Sequence, residues 1–244
     1  MQVAEDILMN KAENFSVNVI FNDGKALKGY IPSYGFSALI YNVRSENYIL
    51  FDTGSDGNIL LHNLKQSGVD LSEIHKVVIS HDHPEHSRGL DEFYKKYQGL
   101  QVYVPIENQV KYERKFRMAQ VFGLSELTEI DENVYLTGQL GNYLKEQSLM
   151  LKTPAGNAIL LVGCCHPGLY EIFNTFKCNE SAKAIIGGLH DTRTFTCLES
   201  LDFIGACHCT RNSDILKLRY PEKFHEILVG AFLAFYFSFF HFFL

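Results

Sequence analysis

At 244 residues the chain is long enough for one large domain or two small ones, and either buries a sizeable apolar core. Hydrophobic residues make up 46% and charged residues 20%, the balance of a globular protein and not of a disordered or fibrous one. A net charge of −6 with no Lys/Arg-rich run leaves no electrostatic footprint for a phosphate backbone, which argues against a nucleic-acid partner.

In chain order, residues 1–14 mix Glu5, Asp6, Lys11 and Glu13 with apolar residues, which is not the uncharged core of a signal peptide. Residues 15–22 and 36–43 are rich in β-branched and aromatic side chains and are separated by Asn-Asp-Gly and Pro-Ser-Tyr-Gly turn signals, so they read as paired strands. Residues 48–51 form a strand that ends in Asp-Thr-Gly-Ser, and 58–66 place Ile59, Leu60, Leu61 and Leu64 at helical spacing. Residues 77–80 are a short apolar run of the kind a doubly buried strand shows. A helix is expected over 89–97, a strand over 102–105, and a mobile or helical stretch through Gln120. Strands over 134–136, 148–153 and 158–162 precede a helix over 169–176, with further strands at 184–186 and 203–206. Four buried strands therefore run into loops rich in ligand-type residues, the place where such folds build sites. No repeat or linker divides the chain, so residues 1–244 are read as a single domain.

The tail differs from the rest. From 227 to 244 there is no charged residue, and Phe or Tyr fills eight of eighteen positions. The length sits at the lower edge of a membrane span, but the flanking Lys/Arg and the Leu/Ile/Val-rich centre of a span are missing. The reading adopted is a dispensable or oligomer-forming tail, with a buried final strand and helix as the other reading. Membrane contact is expected only through this tail.

Six cysteines occur, but Cys164 and Cys165 are adjacent, Cys207 and Cys209 flank His208, and the spacing is not that of a secreted disulfide framework. A reducing cytoplasm is the expected compartment. The strongest chemical signal is His81-Asp82-His83-Pro84-Glu85-His86, three imidazoles and two carboxylates directly after a buried strand. Imidazole nitrogen and carboxylate oxygen are ligands for zinc, iron and manganese, so one or two divalent transition metals are expected, zinc first.

This segment resembles the His-x-His-x-Asp-His motif of the metallo-β-lactamase superfamily, and Phe51-Asp52-Thr53-Gly54 matches that superfamily too. Together with Gly163-Cys164-Cys165-His166-Pro167-Gly168, Gly187-Gly188-Leu189-His190 and Cys207-His208-Cys209-Thr210, the chain is similar to its dihydropteroate-synthase-like branch. That branch includes the 7,8-dihydropterin-6-methyl-4-(β-D-ribofuranosyl)aminobenzene-5′-phosphate synthases. The resemblance covers residues 15–230. It implies an α/β fold, a four-layer αββα sandwich with the metal site at strand ends. It also implies that His81, His83 and His166 hold a first metal and Glu85, His86 and His208 a second. Asp52 would hydrogen-bond beside the metal loop, and His190 would be a pocket histidine. Asp52, Glu85 and His190 are the candidate catalytic residues, and Arg88 joins His190 as a candidate substrate contact, placed to bind phosphate. His62, His75, His225 and His241 are read as structural.

Two departures from the superfamily pattern stand out. Glu85 replaces its aspartate, and Gly163-Cys164 replaces the usual Gly-Asp turn whose carboxylate bridges the metals. The Cys164 thiol is read as a small buried hydrophobe in preference to a soft ligand, and Cys207 and Cys209 likewise. The function expected is a metal-dependent hydrolase or transferase acting on a small anionic metabolite such as a pterin diphosphate. A metal-binding protein without turnover, as a redox sensor or a membrane-tethered partner, is the alternative, and self-association is left open.

Overall fold

A computed structural model describes residues 14–192, 195–235 and 240–243. The sequence readings at the N-terminus before Asn14 and at the end of the aromatic tail fall largely outside them. Strands β1 (Phe15–Phe21), β2 (Ser37–Asn42), β3 (Asn47–Phe51), β4 (Ile74–Val78), β5 (Gln101–Pro105), β6 (Gln120–Leu124), β14 (Phe232–Phe235) and β15 (Phe240–Phe243) form one sheet, ordered β15-β14-β1-β2-β3-β4-β5-β6. The second sheet is β13-β12-β11-β10-β9-β8-β7. Its members are β7 (Thr128–Asp131), β8 (Val134–Leu136), β9 (Leu149–Lys152), β10 (Ala158–Val162), β11 (Ala182–Gly188), β12 (Phe203–Cys207) and β13 (Phe224–Glu226). Helices α1 (Gly57–Gln66), α3 (Leu90–Lys96) and α4 (Gln109–Lys115) contribute to the apolar layer outside the first sheet, while α5 (Leu169–Phe176), α6 (Thr196–Glu199) and α7 (Ser213–Arg219) contribute to that outside the second. The result is the four-layer αββα sandwich expected from the sequence.

Three apolar layers account for it. Phe36, Ile40, Phe51 and Val78 of the first sheet region meet Leu149, Leu161 and Ile186 of the second, all fully or almost fully buried. Alternate residues of the same strands face outward: Leu50, Val77 and Val102 pack under Leu60, Leu64 and Phe93. Burial on both faces is what let residues 77–78 of β4, the whole of β10 and residues 184–186 of β11 show as continuous apolar runs. Helix α1 starts where the Asp56 side chain accepts the backbone N–H groups of Asn58 and Ile59, and it stops before Gly68, whose φ of +82° no helix supports.

Strands β3, β4, β5 and β6 are parallel, as are β10, β11, β12 and β13. Parallel strands place their carboxyl ends at one edge of each sheet, and loops at such edges carry ligand sites. The apolar run read over 77–80 contributes to the ladder from Ile74 only to Val78, because the Ser80 N–H turns to the Asp52 carboxylate instead. The stretch expected to be mobile or helical contains α4 as far as Lys115 and then β6, an edge strand whose half-exposed residues carry no clear hydrophobic period.

The tail corrects the sequence reading. β14 is an inner strand, pairing antiparallel with β1 (Phe15 opposite Phe235, Val17 opposite Leu233) and with β15 on its other side. Ile227, Ala231, Leu233 and Phe235 lie in the core between the sheets. This part of the tail is structural because its apolar residues complete a sheet face that would otherwise be open to water. No helix among the described residues is long and apolar enough to cross a membrane.

Candidate metal centre

The site gathers where the carboxyl ends of both sheets meet. After β1 come Asn22 and Asp23; after β3, Asp52; after β4, Ser80 to His86; after β10, Gly163 to His166; after β11, His190; after β12, His208. Asp52, Cys165, His190 and His208 all have positive φ (57°, 61°, 42° and 37°). Such backbone is unfavourable for residues other than glycine, so its concentration here marks turns that the surrounding packing holds in place.

The loop after β4 is pinned at three points. Thr53 donates from N and Oγ1 to the His86 carbonyl at 2.7 and 2.9 Å, and Phe36 N–H donates to the Glu85 carbonyl at 3.2 Å. Gly35, at φ +129°, lets this approach happen, since a Cβ there would sit 2.1 Å from the Glu85 oxygen.

Asp52 is fully buried and organises two imidazoles. It accepts from Ser80 N–H, from Ser80 Oγ and from His86 Nδ1–H, each at 2.7 Å. Because Ser80 Oγ gives its proton to Asp52, it accepts Nδ1–H of His81 at 2.9 Å, which leaves Nε2 as the unprotonated nitrogen of that ring, facing His83 Nδ1 at 3.1 Å. Burial works against a charge on His86, but the Asp52 carboxylate outweighs it and raises the His86 pKa. Burial and the neighbouring histidines hold His81 well below the ordinary range, and the same causes bring His166 down to about 4. Neutral imidazole is the form that binds metal.

The turn after β10 closes around Glu146, a fully buried carboxylate. Its Oε1 accepts N–H of Gly163, Cys164 and Cys165 at 3.1, 3.0 and 2.9 Å, and its Oε2 accepts N–H of His166 at 2.8 Å. On the far side, Asp23 lies 3.1 and 3.2 Å from His208 Nδ1, and Asn22 Oδ1 accepts the His208 N–H at 2.7 Å. Neither Glu146 nor Asp23 was singled out from the sequence. Asp23 sits in what reads as a plain turn signal, and Glu146 in a stretch with no periodicity.

The rings converge. His81 lies 4.2 Å from His86, 4.6 Å from His83 and 5.0 Å from His166 between centroids, and His86 lies 5.1 Å from His208. Two donor groups compact enough for a metal stand among the described residues: His81, Cys164 and His166, and His86, Cys164 and His208. Nε2 of His166 and Nε2 of His208 are buried with no hydrogen-bond partner. Buried ring nitrogens are rarely orphaned, so these atoms are matched to a ligand the polypeptide does not supply, and a divalent metal fits them.

The remaining sequence candidates fall around this centre. His83 is partly exposed, with Nδ1 3.1 Å from His81 Nε2, and the Glu85 carboxylate stands 3.7 Å from that same Nδ1, outside both donor groups. Asp82 turns away to Tyr112 and Lys111. His190 lies 5.0 Å from the His166 ring, and both line an open cavity of about 360 Å³ with Gly168, Leu169 and Thr192. Arg88 is exposed at the C-terminal end of α2 (Pro84–Ser87) and belongs neither to the donor groups nor to the lining of that cavity. Tyr34, which the sequence reading passed over, stacks edge-on against His208 at 4.9 Å. All six cysteines are free thiols.

The sequence model of the metallo-beta-lactamase superfamily matches residues 31–144, which hold Asp52 and the whole His81–His86 cluster. The chain is 26% identical over 261 residues to the uncharacterized protein MJ0448 of Methanocaldococcus jannaschii, covering 88% of this chain and 98% of that protein. Among solved structures, the metallo-beta-lactamase fold protein YhfI of Bacillus subtilis aligns with a TM-score of 0.65 at 12% identity, covering 89% of this chain and 98% of that one. The short form of human tRNase Z aligns at 0.61 and 16% identity, with coverage of 89% and 98%. At such identities the structural likeness speaks for the fold.

Proposed function

The chain has the metallo-β-lactamase fold, and on that premise we propose that it is a metal-dependent hydrolase of a small anionic metabolite, with its metal centre on the histidines at the sheet edges. One observation carries the reading: histidines from separate strand ends converge with two buried Nε2 atoms unpartnered. When bound, a divalent metal supplies Lewis acidity that activates water near neutral pH and stabilises developing anionic oxygen. The residues that would hold it are His81, His86, His166 and His208, with His83 completing the cluster on its open side. Zinc suits the imidazole-rich set best.

The chain's own residues supply the rest. Asp52, enclosed by Ser80 and His86, is a positioning residue that fixes ring orientation and tautomer; Asp23 does the same for His208. Glu85, whose carboxylate stands 3.7 Å from His83 Nδ1, is available to take a proton at the open side of the centre. His190 and His166 line the neighbouring cavity, large enough for a small metabolite, where His190 would orient an anionic group. The alternative chemistry, transfer from a pterin diphosphate, uses the same centre and rests on the sequence resemblance alone.

The experiment is elemental analysis of the full-length protein, followed by product analysis. At least one equivalent of transition metal is expected, falling in His166→Ala and His208→Ala while the fold persists. Under half an equivalent in the native protein overturns the reading. Release of an acid from ester, lactone or phosphodiester substrates supports hydrolysis, and pyrophosphate release supports transfer.

A further inference from the structure

Cys164 occupies the one position common to both donor groups. Its Sγ lies 3.2 Å from His86 Nε2, and in each group every donor atom is within 4.8 Å of the others. The two orphaned imidazole nitrogens belong to different groups, Nε2 of His166 to one and Nε2 of His208 to the other. The His208 side chain is only 1% exposed, so its unpartnered nitrogen points to a ligand independently of the thiol. Among the described residues, Cys164 is the donor that the two groups share.

From this we propose that the Cys164 thiolate is the shared ligand of a dinuclear centre, one metal on His81 and His166 and the other on His86 and His208, an assignment that rests on the metal-centre reading above. A sulfur atom bridges two borderline-soft cations well, since a thiolate carries several lone pairs on one polarisable atom. The backbone is built to hold it there. Glu146 takes the N–H groups on both sides of Cys164, and Cys165 at φ +61° turns the chain so that residues 164 and 166 serve the same centre. Gly188 leaves room behind this turn, because a Cβ there would come 2.6 Å from the Gly163 carbonyl and 3.4 Å from Cys164 Cα.

Cys209 gives the internal control. Its thiol reaches the Cys164 carbonyl at 3.9 Å and interacts with the Cys164 thiol, yet it belongs to neither donor group. The assignment therefore distinguishes two neighbouring cysteines. Binding would release the Cys164 thiol proton to solvent, with two metal–sulfur bonds formed and no oxidant or reductant needed.

The test uses full-length protein stripped of metal and titrated with Co(II), read by metal stoichiometry and by the near-ultraviolet charge-transfer band that only thiolate ligation gives. Wild type is expected to take up two equivalents and show the band, as is Cys209→Ser. Cys164→Ser should lose the band and bind its second equivalent at least tenfold more weakly. Cys164→Asp should restore two equivalents without the band. Circular dichroism and thermal melting of each variant check that the fold is retained. Two equivalents in wild type without a thiolate band overturn the Cys164 assignment and leave the metal centre standing. Loss of the band in Cys209→Ser with retention in Cys164→Ser also overturns it, transferring the ligand to Cys209. No cobalt uptake by wild type overturns both readings.

Discussion

Replacing Glu146 with Ala tests whether the turn that presents Cys164 and His166 is held by one buried carboxylate. Four backbone N–H groups lose their acceptor, those of Gly163, Cys164, Cys165 and His166. A buried donor left unpaired costs about 1 kcal/mol at the low end, so the four together come to ~4 kcal/mol before any cavity is counted. Against a domain stability of ~5–15 kcal/mol that is a large fraction. Glu146→Gln keeps one carbonyl oxygen for the three donors at the Oε1 position and turns an amide towards His166 N–H. One donor is then unsatisfied and the loss should be ~1–2 kcal/mol. Urea unfolding of wild type and both variants, without metal, measures the two steps, and metal content measured in parallel should fall in the same order. The reasoning is refuted if Glu146→Ala costs less than ~1 kcal/mol, the scale of an ordinary substitution.

Three further outcomes follow from the geometry. Asp23→Ala removes the partner of His208 Nδ1, which frees the ring to turn, and metal affinity should fall by ~10–100-fold with little change in melting temperature, as read by competition with a chelator. His166 has a folded pKa of about 4 against 6.5 unfolded, so between those values the unfolded chain binds the proton that the folded chain does not. Stability of the metal-stripped protein should therefore fall as pH drops from 6.5 towards 4, and His166→Asn should flatten that part of the urea-midpoint profile. Truncation after Gly230 removes β14, including buried Leu233 and Phe235, each worth ~1.5–3 kcal/mol of burial, and should abolish cooperative thermal melting. A cooperative transition within a few degrees of wild type would restore the dispensable-tail reading.

The sequence determined what depends on local pattern. Alternating and continuous apolar runs marked β1 to β5 and β8 to β12, because a strand buried on one or both faces must write that burial into consecutive residues. His81 to His86 was legible as a ligand cluster because six residues of one loop stay together in any fold. His166, His190 and His208 were legible as candidates through the strand and small residues before each, although spacing could not say that they meet.

Tertiary structure decided the rest, for one physical reason: a partner far along the chain leaves no mark on local periodicity. Asp23 meets His208 across 185 positions and Asn22 meets it across 186, yet in sequence both are turn residues. Glu146 draws its role from donors 17 to 20 residues away. The Cys164 thiol, which as a residue type reads as a small hydrophobe, acquires a different character only when His86 arrives from 78 positions upstream. The start of the aromatic tail, which by composition alone could be an appendage, becomes the inner strand β14 because β1 leaves an edge and an apolar face that Leu233 and Phe235 fill.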